Sequence, residues 1–339
     1  MPIRKSALLI SESFQSVLNF GQITMSLELF STMRVVALPT DTNFRGINLR
    51  EVALFKGEYG WGEFSPFLEY GYEESAPWLQ CAIEAATKPR PKFYRNSVKV
   101  NGTIPSLNEH SDIERIVNSF PGVETFKVKV GDNLSEDIAR LAQVRALAPK
   151  AKLRIDVNGN WDVATAVTNL RSIYENIGPL EYAEQPCATI AELRELKEKL
   201  KIDILIAGDE ILRKASDPFA VDLSGAIDIL ALKVQPLGGI ARVHKLAEHH
   251  KLPVVVSSAL ESAVGISHGL ALAASFKDLD YDCGLGTGAL LSTNVADLPI
   301  INGAIEITDF EPDFGAHEVA ADRFEWWKNR VMKTAEHLV

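Results

Sequence analysis

From residue 98 onward the chain repeats one unit, a short apolar run followed by an amphipathic stretch of helical period. The strand-like runs are Val98–Asn101, Thr125–Val130, Leu153–Val157, Leu180–Glu184, Ile204–Ala207, Ile227–Val234, Leu252–Val256 and Tyr281–Cys283. Between them, segments such as Ile138–Leu147, Val163–Ile173, Ile190–Leu200 and Arg242–His250 carry apolar residues at helical spacing. Strands alternating with helices at this pace predict an α/β fold, a (β/α)-barrel rather than an open sheet. An open dinucleotide-binding sheet would favour fewer strands and a glycine-rich loop after the first.

Residues 26–97 break the rhythm. Met33–Leu38 and Val52–Lys56 read as strands, Gly57-Glu58-Tyr59-Gly60 as a turn and Trp78–Thr87 as a helix. After about residue 296 the rhythm is lost again, with one more strand at Ala304–Thr308. The expected plan is an α+β capping domain over 25–97, a barrel over 98–295, and a C-terminal return to the cap over 296–339. Residues 1–24 fit neither domain, and Met25 is a candidate start.

Composition narrows the function. The 339 residues carry a formal net charge of −10, which argues against a nucleic-acid binder, since that would need basic surface. Cys81, Cys187 and Cys283 are too far apart for a disulfide framework or a zinc spacing and suit a reducing cytoplasm. No apolar run is long enough for a membrane span. The apolar stretch Ala7–Ile10 is too short for a signal peptide, so a cytoplasmic protein is expected. Nothing in the sequence sets the oligomeric state.

A barrel carries its chemistry at the C-terminal ends of its strands. The second run reads Thr125-Phe126-Lys127-Val128-Lys129-Val130, so alternation puts Lys127 and Lys129 on one face. Such a pair usually marks a solvated face. In a barrel, however, helices cover the outside, so both lysines point inward, where they need anionic partners. The next three runs supply them: Asp156-Val157-Asn158, Glu184-Gln185-Pro186 and Gly208-Asp209-Glu210, each about one β/α unit apart. Asp156, Glu184 and Asp209 would ring one mouth, and oxygen-only ligands suit Mg²⁺, with Mn²⁺ as substitute. Lys233, in the apolar run Ile229–Val234, would face the lysine pair across the metal.

The remaining strand ends are less specific. Ser257-Ser258-Ala259-Leu260-Glu261 has capping-box spacing between Ser258 and Glu261, and a capped helix start there could offer N–H groups to a substrate carboxylate. Gly284-Leu285-Gly286-Thr287-Gly288 reads as a tight turn lining the mouth, since no Lys-Ser/Thr follows to make a phosphate loop. Ser257, Ser258, Ala259 and Gly284 are therefore the candidate substrate contacts. No histidine pair has zinc-helix spacing, and no Ser–His–Asp set stands out.

Lysines on two sides of a carboxylate-bound cation suit removal of a proton alpha to a carboxylate, where the enediolate charge needs preorganised cations. A nearby cation also lowers a lysine pKa toward a useful base. In these motifs the chain resembles the enolase superfamily, in its muconate-lactonising-like branch with Lys-x-Lys on the second barrel strand. Phe44-Arg45-Gly46-Ile47, Trp61–Tyr70, Asp156-Val157-Asn158-Gly159, Glu184-Gln185-Pro186-Cys187, Leu232–Gly239, Ser257–Glu261 and Cys283–Gly288 further resemble the actinobacterial o-succinylbenzoate synthase family.

The resemblance implies a modified TIM barrel, Mg²⁺ on Asp156, Glu184 and Asp209, and Lys129 as general base. It further implies that Lys233 stabilises the enediolate, that Lys127 tunes its neighbour, and that Asn158 and Glu210 support the ligands. The implied partner is a small anionic carboxylate. The implied reaction is syn dehydration of a succinyl-hydroxycyclohexadiene carboxylate to o-succinylbenzoate for menaquinone synthesis, with cap loops at 38–44 and 62–70 closing over it. Gly208 departs from the pattern, since relatives often carry alanine there. The alternatives are an N-succinylamino acid racemase or dipeptide epimerase on the same residues, and a non-catalytic binding protein.

Overall fold

The computed structural model describes residues 28–44, 46–131 and 133–338. The 1–24 extension, Met25 and Arg45 lie outside the described residues. The N-terminal sheet is an antiparallel meander: β1 (Arg34–Phe44) pairs with β2 (Ile47–Gly57), and β2 with β3 (Gly60–Phe64). Both expected strands are present, and the Gly57–Gly60 turn joins β2 to a third that was not expected. Helix α1 (Tyr72–Thr87) lies directly on this sheet because its contact residues are small. A Cβ on Gly57 would stand 2.3 Å from the Ala86 carbonyl oxygen, and one on Gly62 only 2.0 Å from that of Ala82. The helix begins six residues before the expected start, with Pro77 inside it. Proline normally marks a first turn, which is why the sequence suggested a later beginning.

The barrel sheet runs in sequence order: β5 (Gly102–Ile104), β6 (Thr125–Lys129), β7 (Lys152–Asp156), β8 (Tyr182–Glu184), β9 (Leu205–Gly208), β10 (Ile229–Lys233) and β11 (Val254–Ser257), all parallel. The principal helices between them are α2 (His110–Asn118), α3 (Leu134–Leu147), α4 (Val163–Ile177), α5 (Ile190–Lys199), the short α6 (Glu210–Arg213) and α7 (Ile240–His250). Helix α8 (Ala263–Ser275) follows β11. Residues 283–284 close the ring: Cys283 bridges to Val100 and Gly284 to Ser257.

The first expected barrel strand, Val98–Asn101, is corrected. Its start, β4 (Ser97–Lys99), pairs antiparallel with β12 (Ala304–Glu306); Val100 and Asn101 join the ring through Cys283, and the ladder with β6 begins at Gly102. The C-terminal segment therefore touches the barrel through β12 and reaches the cap through helix α9 (Ala321–Ala335), whose Trp327 packs edge-on to Phe64.

At the opposite end of the barrel from the strand tips, Arg154 of β7 is fully buried. It donates to Glu181 (2.6 Å), to Asn101 Oδ1 (3.0 Å) and to the Asp282 carbonyl (2.7 Å), and lies over the Tyr182 ring. Removing one partner of a buried charged network leaves the others unpaired, so Arg154→Ala is expected to cost about 3 kcal/mol. Urea unfolding checks this; a loss below about 1 kcal/mol would contradict it.

Candidate active site

Strand register assembles the site. Lys129 pairs with Asp156 across β6–β7, and Asp156 with Glu184 across β7–β8, so the three stand in one row. On β6 the period-two alternation turns Lys127 and Lys129 inward, while Phe126 and Val128 enter the apolar core. Lys127 Nζ donates to Glu184 (2.8 Å) and lies 3.0 Å from Asp156. Lys129 Nζ donates to Asp156 (2.6 Å) and to Asn158 Oδ1 (2.8 Å). Lys233, at the end of β10, donates to Asp209. The sequence expectation of three inward lysines facing three carboxylates is met in placement.

Burial and charge then set the protonation states. Burial alone would lower Lys127, but Asp156 and Glu184 beside it raise its pKa well above the usual lysine value. For Lys129 burial dominates; with repulsion from Lys127 it outweighs Asp156, and the pKa falls. The first lysine is a fixed cation; the second gives up its proton more readily, so its neutral amine is more available as a base. Asp156 is held far below the carboxylate range: burial opposes this, but Lys127 and Lys129 win. Asp209 is lowered in the same way against burial by Lys233 and Arg213. At Glu184 burial and the Asp156 charge push the carboxyl upward, against the pull of Lys127 and Lys233.

Arg213 is the site residue that sequence reading missed. It donates to Asp209 (3.1 Å), to Glu210 (2.7 Å) and to the Tyr70 hydroxyl of the cap (3.2 Å). Its spacing four and three residues after two acids on one helical turn was the available signal. Asn158, at φ 54°, joins Lys129 to Glu210 by donating to Glu210 Oε1 (3.1 Å).

Two sequence expectations at strand β11 are corrected. Ser258 and Glu261 form no capping box: Ser258 Oγ donates to the Gly284 carbonyl (2.5 Å) and pairs with Thr287, and helix α8 is capped by Ser262. The reason is local. Leu260 sits at φ 59° with its carbonyl accepting from Arg50 of the cap, so the chain turns before the helix begins. Nor are the first N–H groups of α8 free for substrate. Gly265 and Ser262 donate to Glu63 of β3, and Ala263 to Asn294. Glu84 of α1 likewise accepts from Ile240 and Ala241 at the start of α7. The cap is thus docked by two carboxylates on two helix N-termini.

Glu261 lies beside Glu63, with both its carboxyl oxygens buried and without a hydrogen-bond partner. Burial and the Glu63 charge push its pKa up to about 8, against the pull of Arg50 and Lys233. Gly265 is the only fit there, since a Cβ would stand 2.7 Å from Glu261 Cβ and 2.9 Å from Glu63 Cδ. At Gly208 the space of the missing methyl is filled by Ile211 and Ile227.

Lys127, Lys129, Asp156, Asn158, Arg213 and Lys233 line one cavity. Ser257, Ser258, Ala259 and Gly284 line it too, so all four candidate contacts reach the same space. Phe44, Phe67 and Trp78 of the cap roof it. Its free volume is about 30 Å³, against roughly 300–1,000 Å³ for ligand pockets. The cap side chains must move aside to admit a substrate.

Among the described residues, no three His, Cys, Asp or Glu side chains stand as a finished metal cage. The site nevertheless fits a hard divalent cation on its own features. The donors are all oxygens, and Glu184 Oε1 is buried with no hydrogen-bond partner. Charge agrees: Asp156, Glu184, Asp209 and Glu210 are matched by Lys127, Lys129, Lys233 and Arg213. An anionic ligand added to this balanced set would bring uncompensated charge, which a divalent cation offsets.

Comparison with known proteins gives the class. Residues 114–315 match the model described as "Enolase C-terminal domain-like", and residues 35–86 the one described as "Enolase N-terminal domain-like". The structure aligns with the L-Ala-D/L-Glu epimerase from Bacillus subtilis at TM-score 0.68 and 21% identity, covering 85% of this chain and 98% of that one. It aligns with muconate lactonizing enzyme from Pseudomonas putida at TM-score 0.66 and 18% identity, covering 86% and 96%. The chain belongs to the enolase superfamily.

Within it, the chain is 45% identical over 310 residues to the o-succinylbenzoate synthase of Mycobacterium tuberculosis, covering 89% of this chain and 93% of the relative. The o-succinylbenzoate synthase of Mycobacterium leprae is 46% identical over 312 residues, covering 90% and 91%. Among the described residues no helix is long and apolar enough to cross a membrane.

Proposed function

We propose that this chain is an o-succinylbenzoate synthase, a hydro-lyase of menaquinone biosynthesis that dehydrates 2-succinyl-6-hydroxy-2,4-cyclohexadiene-1-carboxylate. The observation that carries the reading is the 45% identity to the mycobacterial synthases over nine-tenths of the chain. The solved epimerases and muconate lactonizing enzymes, near 20% identity, share the fold and do not favour their own reactions here. The working division is a cap (25–97) and a C-terminal return (296–339) over a barrel (98–295). The substrate is a small anionic carboxylate rather than nucleic acid, and the compartment is the cytoplasm.

Asp156, Glu184 and Asp209 would hold Mg²⁺, with Mn²⁺ as substitute, and Asn158 and Glu210 would steady them. When bound, the cation supplies charge stabilisation to the substrate carboxylate next to the carbon that loses its proton. The chain's residues do the rest. Lys129, its pKa lowered by burial, takes the α-proton. The electron pair moves into the carboxylate, and Lys233, held by Asp209, faces it across the cavity. Lys127 stays protonated between Asp156 and Glu184 and disfavours a second charge on Lys129. Collapse of the charge breaks the ring C–O bond. Lys129 returns its proton to the departing hydroxide on the same face, so water leaves syn and the ring becomes aromatic. The cap roof of Phe44, Phe67 and Trp78 excludes bulk water during these transfers.

Metal removal tests the cofactor. Dialysis against EDTA is expected to abolish turnover, Mg²⁺ to restore it fully and Mn²⁺ to restore part. Mg²⁺ is also expected to raise the melting temperature of the stripped protein, a readout independent of turnover. Full turnover after exhaustive chelation would contradict the assignment.

A further inference from the structure

One path of hydrogen bonds leaves the barrel mouth and ends on the cap. Lys129 Nζ donates to Asn158 Oδ1 (2.8 Å) and Asn158 Nδ2 to Glu210 Oε1 (3.1 Å). Arg213 donates to that same Glu210 oxygen (2.7 Å), and its other terminal nitrogen to the Tyr70 hydroxyl (3.2 Å). Tyr70 belongs to the loop between β3 and α1, 143 residues away in sequence. That loop also carries Phe67, one of the side chains roofing the cavity. Its backbone is fixed from the other side: Arg330 of α9 donates to the carbonyls of Phe67 (2.9 Å), Leu68 (3.1 Å) and Tyr70 (2.9 Å).

Resting on the synthase reading above, we propose that Tyr70 and Arg213 are positioning residues that couple the seated cap loop to the orientation of the Lys129 amine. The guanidinium side chain is 5% exposed and that of Glu210 11%, so water competes little for these bonds. Arg213 is the link because its planar fork meets Asp209, Glu210 and Tyr70 at once, which a lysine cannot reproduce. The Tyr70 ring packs edge-on against Phe67 and Trp78 without help from its hydroxyl. The hydroxyl is therefore spare for packing and committed to the relay. When the loop lifts to admit substrate, Arg213 loses its cap partner and Glu210 and Asn158 loosen. When it returns, Lys129 is aimed again, so proton transfer is favoured only under a closed roof.

Tyr70→Phe keeps the ring and removes the hydroxyl; Arg213→Lys keeps the charge and removes the fork. Tyr70→Phe is expected to lower kcat about tenfold and Arg213→Lys about thirtyfold, each with KM within about twofold of wild type. The double variant is expected to match Arg213→Lys alone, because the two residues act in series. A second readout needs no turnover: acetylation of Lys129 at one fixed pH, mapped by mass spectrometry against Lys127 and Lys233. Both variants are expected to label Lys129 about threefold faster than wild type, its tether being loosened.

A raised KM at unchanged kcat would make Arg213 or Tyr70 a substrate contact and overturn the proposal. A lower melting temperature with wild-type kcat and labelling would make them cap anchors only, and also overturn it. If wild-type protein forms no o-succinylbenzoate, the synthase reading fails by itself, and the labelling comparison alone decides the relay.

Discussion

Lys129→Ala is expected to lower kcat by about 10³–10⁴ while leaving the fold and Mg²⁺ binding in place. The fold should survive because Lys129 holds no structural contact that its neighbours cannot cover. Asp156, its partner, keeps Lys127 at 3.0 Å, so the carboxylate is not left as a lone buried charge. The chemistry should not survive, because the other two amines of the cavity are bound differently. Lys127 is raised well above the ordinary lysine value and is a poor base, and Lys233 is engaged by Asp209 on the far strand. Lys233→Ala is expected to be about as slow for another reason, loss of the cation that meets the developing negative charge. Solvent-hydrogen exchange at the α-carbon separates the two roles. A one-base dehydratase loses exchange with Lys129 and gains none through Lys233. A racemase would let either lysine start exchange from its own face.

The second large effect is on stability, at the seam between cap and barrel. Glu261 is expected to make the protein less stable as pH rises from about 4.5 to about 8, the folded value being about 8 and the ordinary one 4.5. The sign follows from linkage. Below the unfolded pKa both states are protonated and nothing is lost. Between the two values the unfolded chain ionises while the buried carboxyl stays neutral, so folding progressively loses ground. Above the folded value the loss is complete. At 1.36 kcal/mol per pKa unit it amounts to about 5 kcal/mol. Glu261→Gln cannot ionise and should lack this component, so its stability relative to wild type rises across the same window. Guanidinium unfolding at pH 5 and pH 8.5 reads the difference; parallel curves for the two proteins would contradict it. The groups facing Glu261 set the size of the effect: Glu63 from the cap adds to burial, and Arg50 and Lys233 subtract from it.

The active row was legible because a barrel repeats. The placement of Asp156, Glu184 and Asp209 could be read from the sequence, since Asp156 and Glu184 end strands of successive β/α units in register and Asp209 directly follows the next strand. Lys127 and Lys129 followed from period two and from the need for an apolar outer face. What escaped depends on contacts between distant segments. Glu261 has the spacing of a capping partner for Ser258, but Arg50, 210 residues away, holds the Leu260 carbonyl and turns the chain first. The helix start that sequence offered to a substrate carboxylate is filled by Glu63, 202 residues from the Gly265 amide. Tyr70 carries no sequence signal of its own, because its hydroxyl meets Arg213, 143 residues away, only in the fold. Val98 was read as barrel because its alternation suits any strand, and only the pairing with β12 shows which sheet owns it. Local pattern fixed what repeats; the cap–barrel seam, made once, had no pattern to read.

The most direct test is turnover of 2-succinyl-6-hydroxy-2,4-cyclohexadiene-1-carboxylate by the purified protein with Mg²⁺, followed by the aromatic absorbance of o-succinylbenzoate and compared with Lys129→Ala. The account predicts stoichiometric aromatic product from wild type, none above background from the variant, and no racemisation of N-succinyl amino acids at a comparable rate. Absence of product with wild-type protein, or equal product from Lys129→Ala, would contradict it.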